Sequence, residues 1–404
     1  MRLGVVWESF VGGSDSIGIV AANTIEALDG LGVDVKVWPW NLSPQFRRCY
    51  YAVDRPVPDF YVWGQRAREQ LSPTLRRLVE RFEDARVSDI RKSVGILWGG
   101  FSHVHFSELR QTERRIGYFF CDFTSVPDVF RRYANAALDL IAVPSEFVRQ
   151  AFQRSGITTP VVVWHHGIDP RRFEFTPREE RPVFTFLFVG VAQFRKGLDL
   201  LLKAFTREFR EDEAVRLMVK SADWGRVAEY RRAFGHRGIA WQSATVDASD
   251  VLAHYRGADC LVIPSRGEAF CLPGLEALAT GLPVIYHDWG GQRDYGGLPG
   301  CYPVKSRKCI VGVRPWYGWT SPPLYAEVDI EELASVMRRV FEHREDAGQQ
   351  ARLGSREVHR GWTWAQRAGM AVHDIQRITG WRLTDHQLEA RLRSSPRGGV
   401  ETAW

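Results

Sequence analysis

No stretch of this 404-residue chain comes near the roughly 18 consecutive apolar residues that a membrane-spanning helix requires, so no span is expected. The N-terminus, MRLGVVWESF, lacks the long apolar core of a signal peptide and reads as a first strand; the expected compartment is the cytoplasm. Cysteine is scarce and unpatterned. The six residues (49, 121, 260, 271, 301 and 309) include no CxxC pair and no metal-ligand spacing, which argues for free thiols over a disulfide framework. Also absent is GxGxxG. The turn after the first apolar run, Ser9 to Ser16, carries Gly12 and Gly13 but not that spacing, and no acid ends the second strand, so a dinucleotide reading is weak. No DxD-type metal motif is evident. Lysine is rare as well, supplying only seven of the 54 basic residues.

What is present has ordinary globular proportions, with 45% hydrophobic and 25% charged residues, and 404 residues exceed what one core usually holds. Two domains are therefore expected. The net charge is +6 and the excess is carried by arginine, whose guanidinium fork suits phosphate. An anionic ligand, a polyanionic acceptor and plain solvated surface charge all fit that bias.

Apolar runs alternate with amphipathic stretches through both halves. Leu3–Trp7, Val33–Trp38, Val94–Trp98, Ile116–Phe120 and Leu138–Val143 read as strands of a first sheet. Phe184–Val189, Val215–Val219, Ile239–Trp241 and Cys260–Ile263 restart the pattern. Such alternation predicts parallel sheets with ligands at the carboxyl ends of the strands. Between the halves, residues 174–181 (EFTPREER) read as a polar linker. Residues 41–66 have no clear period, and residues 305–328 interrupt the alternation with aromatics and prolines.

The most informative stretch is Pro264 to Ile285, PSRGEAFCLPGLEALATGLPVI. An apolar strand ends at a Pro-Ser-Arg-Gly turn, a helix carries Leu275, Leu278 and Ala279 on one face, and Pro283 opens the next strand. The first N–H groups of such a helix lack partners, which makes a ready anion site. Glu268 lies in its mouth. Glu276, two turns further on, could accept hydrogen bonds from a diol such as a ribose. Acids this close to an anion site suit a ligand carrying both phosphates and hydroxyls.

Glu-x7-Glu between a PS-type turn and an LEALA-x-G-x-PVI ending resembles the signature of the retaining, GT-B-fold glycosyltransferases of family 4. The match rests on Glu268, Phe270, Leu272, Pro273, Leu275, Glu276, Ala277, Gly281 and Pro283. The segments LDLIAVPSEFVRQAF and VVVWHHGIDPRRF resemble the end of the same family's N-terminal domain. The resemblance implies an α/β protein of two Rossmann-like domains facing across a cleft, residues 1–175 and 182–362. A last helix, 365–381, would cross back to the first domain, and 382–404 would be a loose tail. It also implies a nucleotide-diphosphate sugar as donor, no cofactor and no metal.

The family's roles carry over residue by residue. Glu276 resembles the glutamate that holds the donor ribose, and Glu268 the one at the hydroxyls of the transferred sugar. The amides of Ala269, Phe270, Cys271 and Leu272 would bind sugar and diphosphate. In VAQFRKG, Arg195 and Lys196 stand just before a helix and would neutralise the departing diphosphate. The commoner pattern has arginine where this chain has Val191, so Lys196 matches better than Arg195. Gly12 and Gly13 would let the backbone approach the donor. Lys220, ending a strand, either contacts phosphate or caps that strand.

Asp122, His103 and His105 are the candidates for aligning an acceptor hydroxyl. Trp316, Tyr317, Trp319 and Tyr325 form an aromatic cluster that would stack on a sugar or base, or fill core. Side chains reading the donor base are expected around 242–246. The sequence does not name the acceptor. A small metabolite, glycan or lipid-linked hydroxyl and a modified base in nucleic acid both remain open, as do a nucleotide-sugar epimerase or hydrolase and a non-catalytic nucleotide-sugar-binding protein.

Overall fold

The computed structural model describes residues 4–11, 16–42, 68–101, 109–178, 181–221, 226–243, 248–311, 318–319 and 321–381. The first sheet contains β1 (Gly4–Ser9), β2 (Asp34–Pro39), β3 (Val94–Gly99), β4 (Arg114–Phe119), β5 (Leu140–Val143) and β6 (Val161–Val163). The second contains β7 (Phe184–Val189), β8 (Val215–Ser221), β9 (Ile239–Ser243), β10 (Cys260–Ile263), β11 (Val284–His287) and β12 (Cys301–Val304). Their spatial orders are β2-β1-β3-β4-β5-β6 and β12-β11-β10-β7-β8-β9. Every pairing in both sheets is parallel. The cause is legible in single strands. Hydrophobic residues and glycine fill β3, β5 and β10, whose residues are all buried, as strands covered by helices on both faces must be.

These orders decide where ligands can sit. In each sheet the chain winds outward in both directions from an inner pair of strands, the place where ligands of such sheets are expected. In the second sheet the pair is β7 and β10, so the loops 190–197 and 264–271 face each other. In the first sheet it is β1 and β3. The loops leaving these strands carry Gly12, Gly13, His103 and His105, which lie outside the described residues.

Two segments gain detail beyond the sequence reading. Residues 305–328 contain a two-stranded antiparallel hairpin, β13 (Ser306–Val311) and β14 (Leu324–Val328). Within the polar stretch that follows the first sheet, Arg178 is docked: it donates to the carbonyls of Tyr255 (2.6 Å), Ala258 (3.3 Å) and Thr280 (3.0 Å), closing the C-terminal ends of two helices.

The helix Trp364–Thr379, opened by a Thr363–Gln366 capping box, packs on the helix Ser16–Gly30 of the first half. Trp164 donates to Asp374 at 2.9 Å, tying that helix to the end of the first sheet. The chain crosses between the halves twice, side by side, where the Ile168 amide bonds the Trp362 carbonyl at 2.8 Å. A Cβ on Gly167 would lie 2.5 Å from the Trp364 nitrogen, so only glycine admits this crossing. Between the sheets the His166 ring is buried against Trp98, Tyr118, Phe270 and Trp364. Burial, then neighbouring His165, lowers its pKa to about 3, so the imidazole is neutral. Among the described residues, no helix is long and apolar enough to cross a membrane.

Candidate active site

After β7 the chain makes a 3-10 turn, Phe194–Lys196, and then Gly197 with φ +68 before the helix Leu198–Glu208 begins. A Cβ on Gly197 would sit 2.2 Å from the Pro264 carbonyl oxygen, so glycine lets the loop after β7 press against the loop after β10. The Arg266 amide then bonds the Arg195 carbonyl at 2.7 Å.

That contact brings opposite charges together. Glu268 is the hub: one oxygen accepts from Lys196 Nζ (2.7 Å) and Ser265 Oγ (2.8 Å), and the other lies 3.0 Å from Arg195 Nη1. Arg195 Nη1 also donates to the Gly267 carbonyl at 2.8 Å. From the first half, Asp122 brings Oδ2 to 3.3 Å from Arg195 Nε, while its Oδ1 accepts from the Ala269 amide at 3.0 Å. Burial raises the Glu268 pKa, yet Lys196 and Arg195 outweigh it and hold the carboxyl below the usual range. Asp122 goes the other way, raised chiefly by burial and further by Glu268, against the pull of Arg195. Arg195 loses to burial but gains more from the two carboxylates, so its pKa is raised and its charge is secure.

The helix Leu272–Ala279 starts at Cys271, whose φ of 70 makes it the one non-glycine among the described residues with positive φ. Such a conformation is uncommon off glycine, and here it lies at the helix start beside Glu268. The Cys271 carbonyl is held by Tyr295 Oη at 2.8 Å. One turn into the helix, Glu276 accepts from Tyr255 Oη at 3.1 Å. Burial pushes its carboxyl up to about 7, against the lowering effects of Tyr255 and Arg172.

The remaining sequence-predicted residues divide. Lys220 is buried at the end of β8. The Phe270 ring is core, packed 4.8 Å from His166 and 5.6 Å from Tyr295 between ring centres, which leaves its backbone alone for a ligand. Of the amides expected to meet the donor, that of Ala269 is taken by Asp122. Trp316 and Tyr317 lie outside the described residues; Trp319 and Tyr325 pack on Phe123, edge-on at 5.7 Å and stacked at 4.8 Å. Sequence reasoning missed Ser265, Tyr255 and Phe123 as partners. Ser265 alone had a local signal, standing three residues before Glu268. Among the described residues, no cluster of three or more His, Cys, Asp or Glu side chains could hold a metal ion.

The overall fold is shared with solved structures. Sucrose-phosphate synthase from Thermosynechococcus elongatus aligns with a TM-score of 0.66 at 16% identity, covering 94% of this chain and 100% of that one. Anabaena HepE, solved with UDP and glucose, aligns at 0.65 and 13% identity, covering 93% of this chain and 100% of HepE. The architecture is the GT-B fold. Residues 183–303, the core of the second half, match the family described as Glycosyl transferases group 1. Among curated proteins, D-inositol 3-phosphate glycosyltransferase of Geodermatophilus obscurus is 32% identical over 168 residues, which cover 33% of this chain and 36% of that relative. The chain spans only about a third of the length of that relative.

Proposed function

We propose that the protein transfers a sugar from a nucleotide-diphosphate donor to an acceptor hydroxyl, with retention and without a metal ion. The observation that carries this reading is the Lys196–Glu268–Arg195 constellation, built where the β7 and β10 loops converge at a helix N-terminus. Two cations beside a helix N-terminus suit a diphosphate. An adjoining carboxylate suits sugar hydroxyls, and a second one a helical turn further suits the ribose.

The chemistry follows from the charges. When the anomeric carbon–oxygen bond breaks, its electron pair leaves with the diphosphate, and positive charge develops on the sugar ring. Arg195 and Lys196 stabilise the first and Glu268 the second. The acceptor oxygen attacks on the face the diphosphate is leaving, and its proton passes to the departing phosphate oxygen, which retains configuration without a separate base. Asp122, standing at the first-half side of Arg195, orients the acceptor. HepE was solved with UDP and glucose, which makes uridine the first base to try.

The test is thermal shift with UDP, GDP, ADP and their glucose conjugates, with a chelator present. Ligands that bind only the folded state raise the melting temperature with concentration. One responsive nucleotide, followed by its release from the matching sugar conjugate when acceptors are added, supports the reading. No response to any of them overturns it.

A further inference from the structure

Arg266 has no place in the chemistry above, yet it is a buried cation with four side-chain hydrogen bonds. Only 1% of its surface is exposed. Nη1 donates to the Phe194 carbonyl (2.6 Å) and to Asp199 Oδ1 (2.8 Å), Nη2 to Asp199 Oδ2 (2.7 Å), and Nε to Glu327 (2.8 Å). The guanidinium lies 3.9 Å above the Phe194 ring. Its backbone is engaged too, the amide with the Arg195 carbonyl and the carbonyl with the Ala326 amide at 2.9 Å.

A buried ion pair of this kind is weak evidence for stability, because desolvation offsets much of the attraction. Geometry is what it supplies. Arg266 joins three elements that lie far from it in sequence: the turn Phe194–Lys196, the first turn of the following helix at Asp199, and β14 of the hairpin. The turn is the one that carries Arg195 and Lys196. The hairpin's own approach reaches the first half, where the Leu324 amide bonds Thr124 Oγ1 (3.0 Å) and Ser125 Oγ bonds the Ser321 carbonyl (3.0 Å).

We infer that Arg266 is a positioning residue that sets the Arg195–Lys196 turn against the donor diphosphate and links that turn to the hairpin gripping the first half. It touches no reacting atom. Only a planar fork can serve Asp199 with two parallel bonds, Glu327 with a third and still stack on Phe194, so lysine is not an equivalent. The inference rests on the donor-site reading above and adds to it the part that holds the cations in place.

The test is a double-mutant cycle read by binding of UDP, GDP and ADP to the full chain. Arg266→Lys is expected to melt cooperatively while binding the responsive nucleotide about tenfold more weakly, since its cations are displaced and not deleted. Arg195→Ala is expected to cost less in the Arg266→Lys background than in the wild type, because both act through one turn. Wild-type affinity in Arg266→Lys, or the same loss from Arg195→Ala in both backgrounds, overturns the inference. Failure of the wild type to bind any of the three removes the donor-site reading itself, and this inference with it. If Arg266→Lys does not fold, Phe194→Leu carries the same cycle. Phe194 is 42% exposed, and its loss removes the stacking surface while leaving every ion pair.

Discussion

Asp122, from the loop after β4, stands 3.3 Å from Arg195, from the loop after β7, and the two belong to different sheets. Arg195 also faces Glu268 at 3.0 Å, so one guanidinium is shared by two carboxylates. A donor diphosphate must compete with both of them. Asp122→Asn removes one competitor while keeping the shape. Nucleoside diphosphate binding is expected to tighten a few-fold, and sugar transfer to fall by about 100-fold through loss of the acceptor-side carboxylate. Titration calorimetry with the nucleotide and a turnover assay check the two halves; weaker nucleotide binding would contradict the competition.

Lys196 and Glu268 form the closest ion pair of the site, at 2.7 Å, and the Glu268 side chain is 6% exposed. Lys196→Ala leaves a buried carboxylate with fewer partners and is expected to cost about 2–4 kcal/mol of stability. Adding Glu268→Gln should return part of that loss, so the double variant melts above Lys196→Ala alone. Chemical denaturation of the four proteins of the cycle measures it. Strict additivity would mean that the pair does not interact in solution.

Glu276 gives a pH signature. Its folded pKa of about 7 lies above the unfolded value of about 4.3, so the folded state holds this proton more tightly. Its contribution to stability is fully present below the unfolded pKa and is lost as pH rises through the folded one. Glutamine mimics the protonated form. Glu276→Gln is therefore expected to be more stable than wild type by roughly 3–4 kcal/mol at about pH 8 and to match it at about pH 4. The same variant should bind nucleoside diphosphates more weakly at high pH, since a ribose hydroxyl donates best to a carboxylate. Melting curves across that range, with and without nucleotide, decide it.

Gly197→Ala tests the convergence of the two loops. Alanine resists φ +68, and its Cβ would meet the Pro264 carbonyl at 2.2 Å. A loss of about 2–3 kcal/mol is expected, together with weaker nucleotide binding, because Arg195 and Lys196 move away from Glu268. Unchanged binding in a folded Gly197→Ala protein would show that the close approach is dispensable.

The sequence made some of this legible and hid the rest for physical reasons. Glu268, Glu276, Arg195 and Lys196 stood out as candidates because each lies where a strand gives way to a turn and a helix, which is a local pattern. The strands of both sheets were readable because buried parallel strands are continuous apolar runs. The contact of Asp122 with the Ala269 amide was not, since it joins residues 147 apart through the meeting of two halves. The same holds for Tyr255 with Glu276 and for Arg266 with Glu327, where one partner gives no hint of the other. β13 escaped because it is mostly exposed and basic, without apolar alternation, and a register shift between Ser306 and Lys308 breaks its period. Arg178 looked like linker because its carbonyl partners are backbone groups, which leave no mark in a sequence.

The side-by-side passages at Ile168 and Trp362 leave Asp122 as the charge that the first half contributes to the cluster. Arg195, Lys196 and Glu268 all come from the second half, so two cations face one anion before the first half is counted. The second sheet alone thus offers an anion a surplus of positive charge, and the neighbouring half trims that surplus.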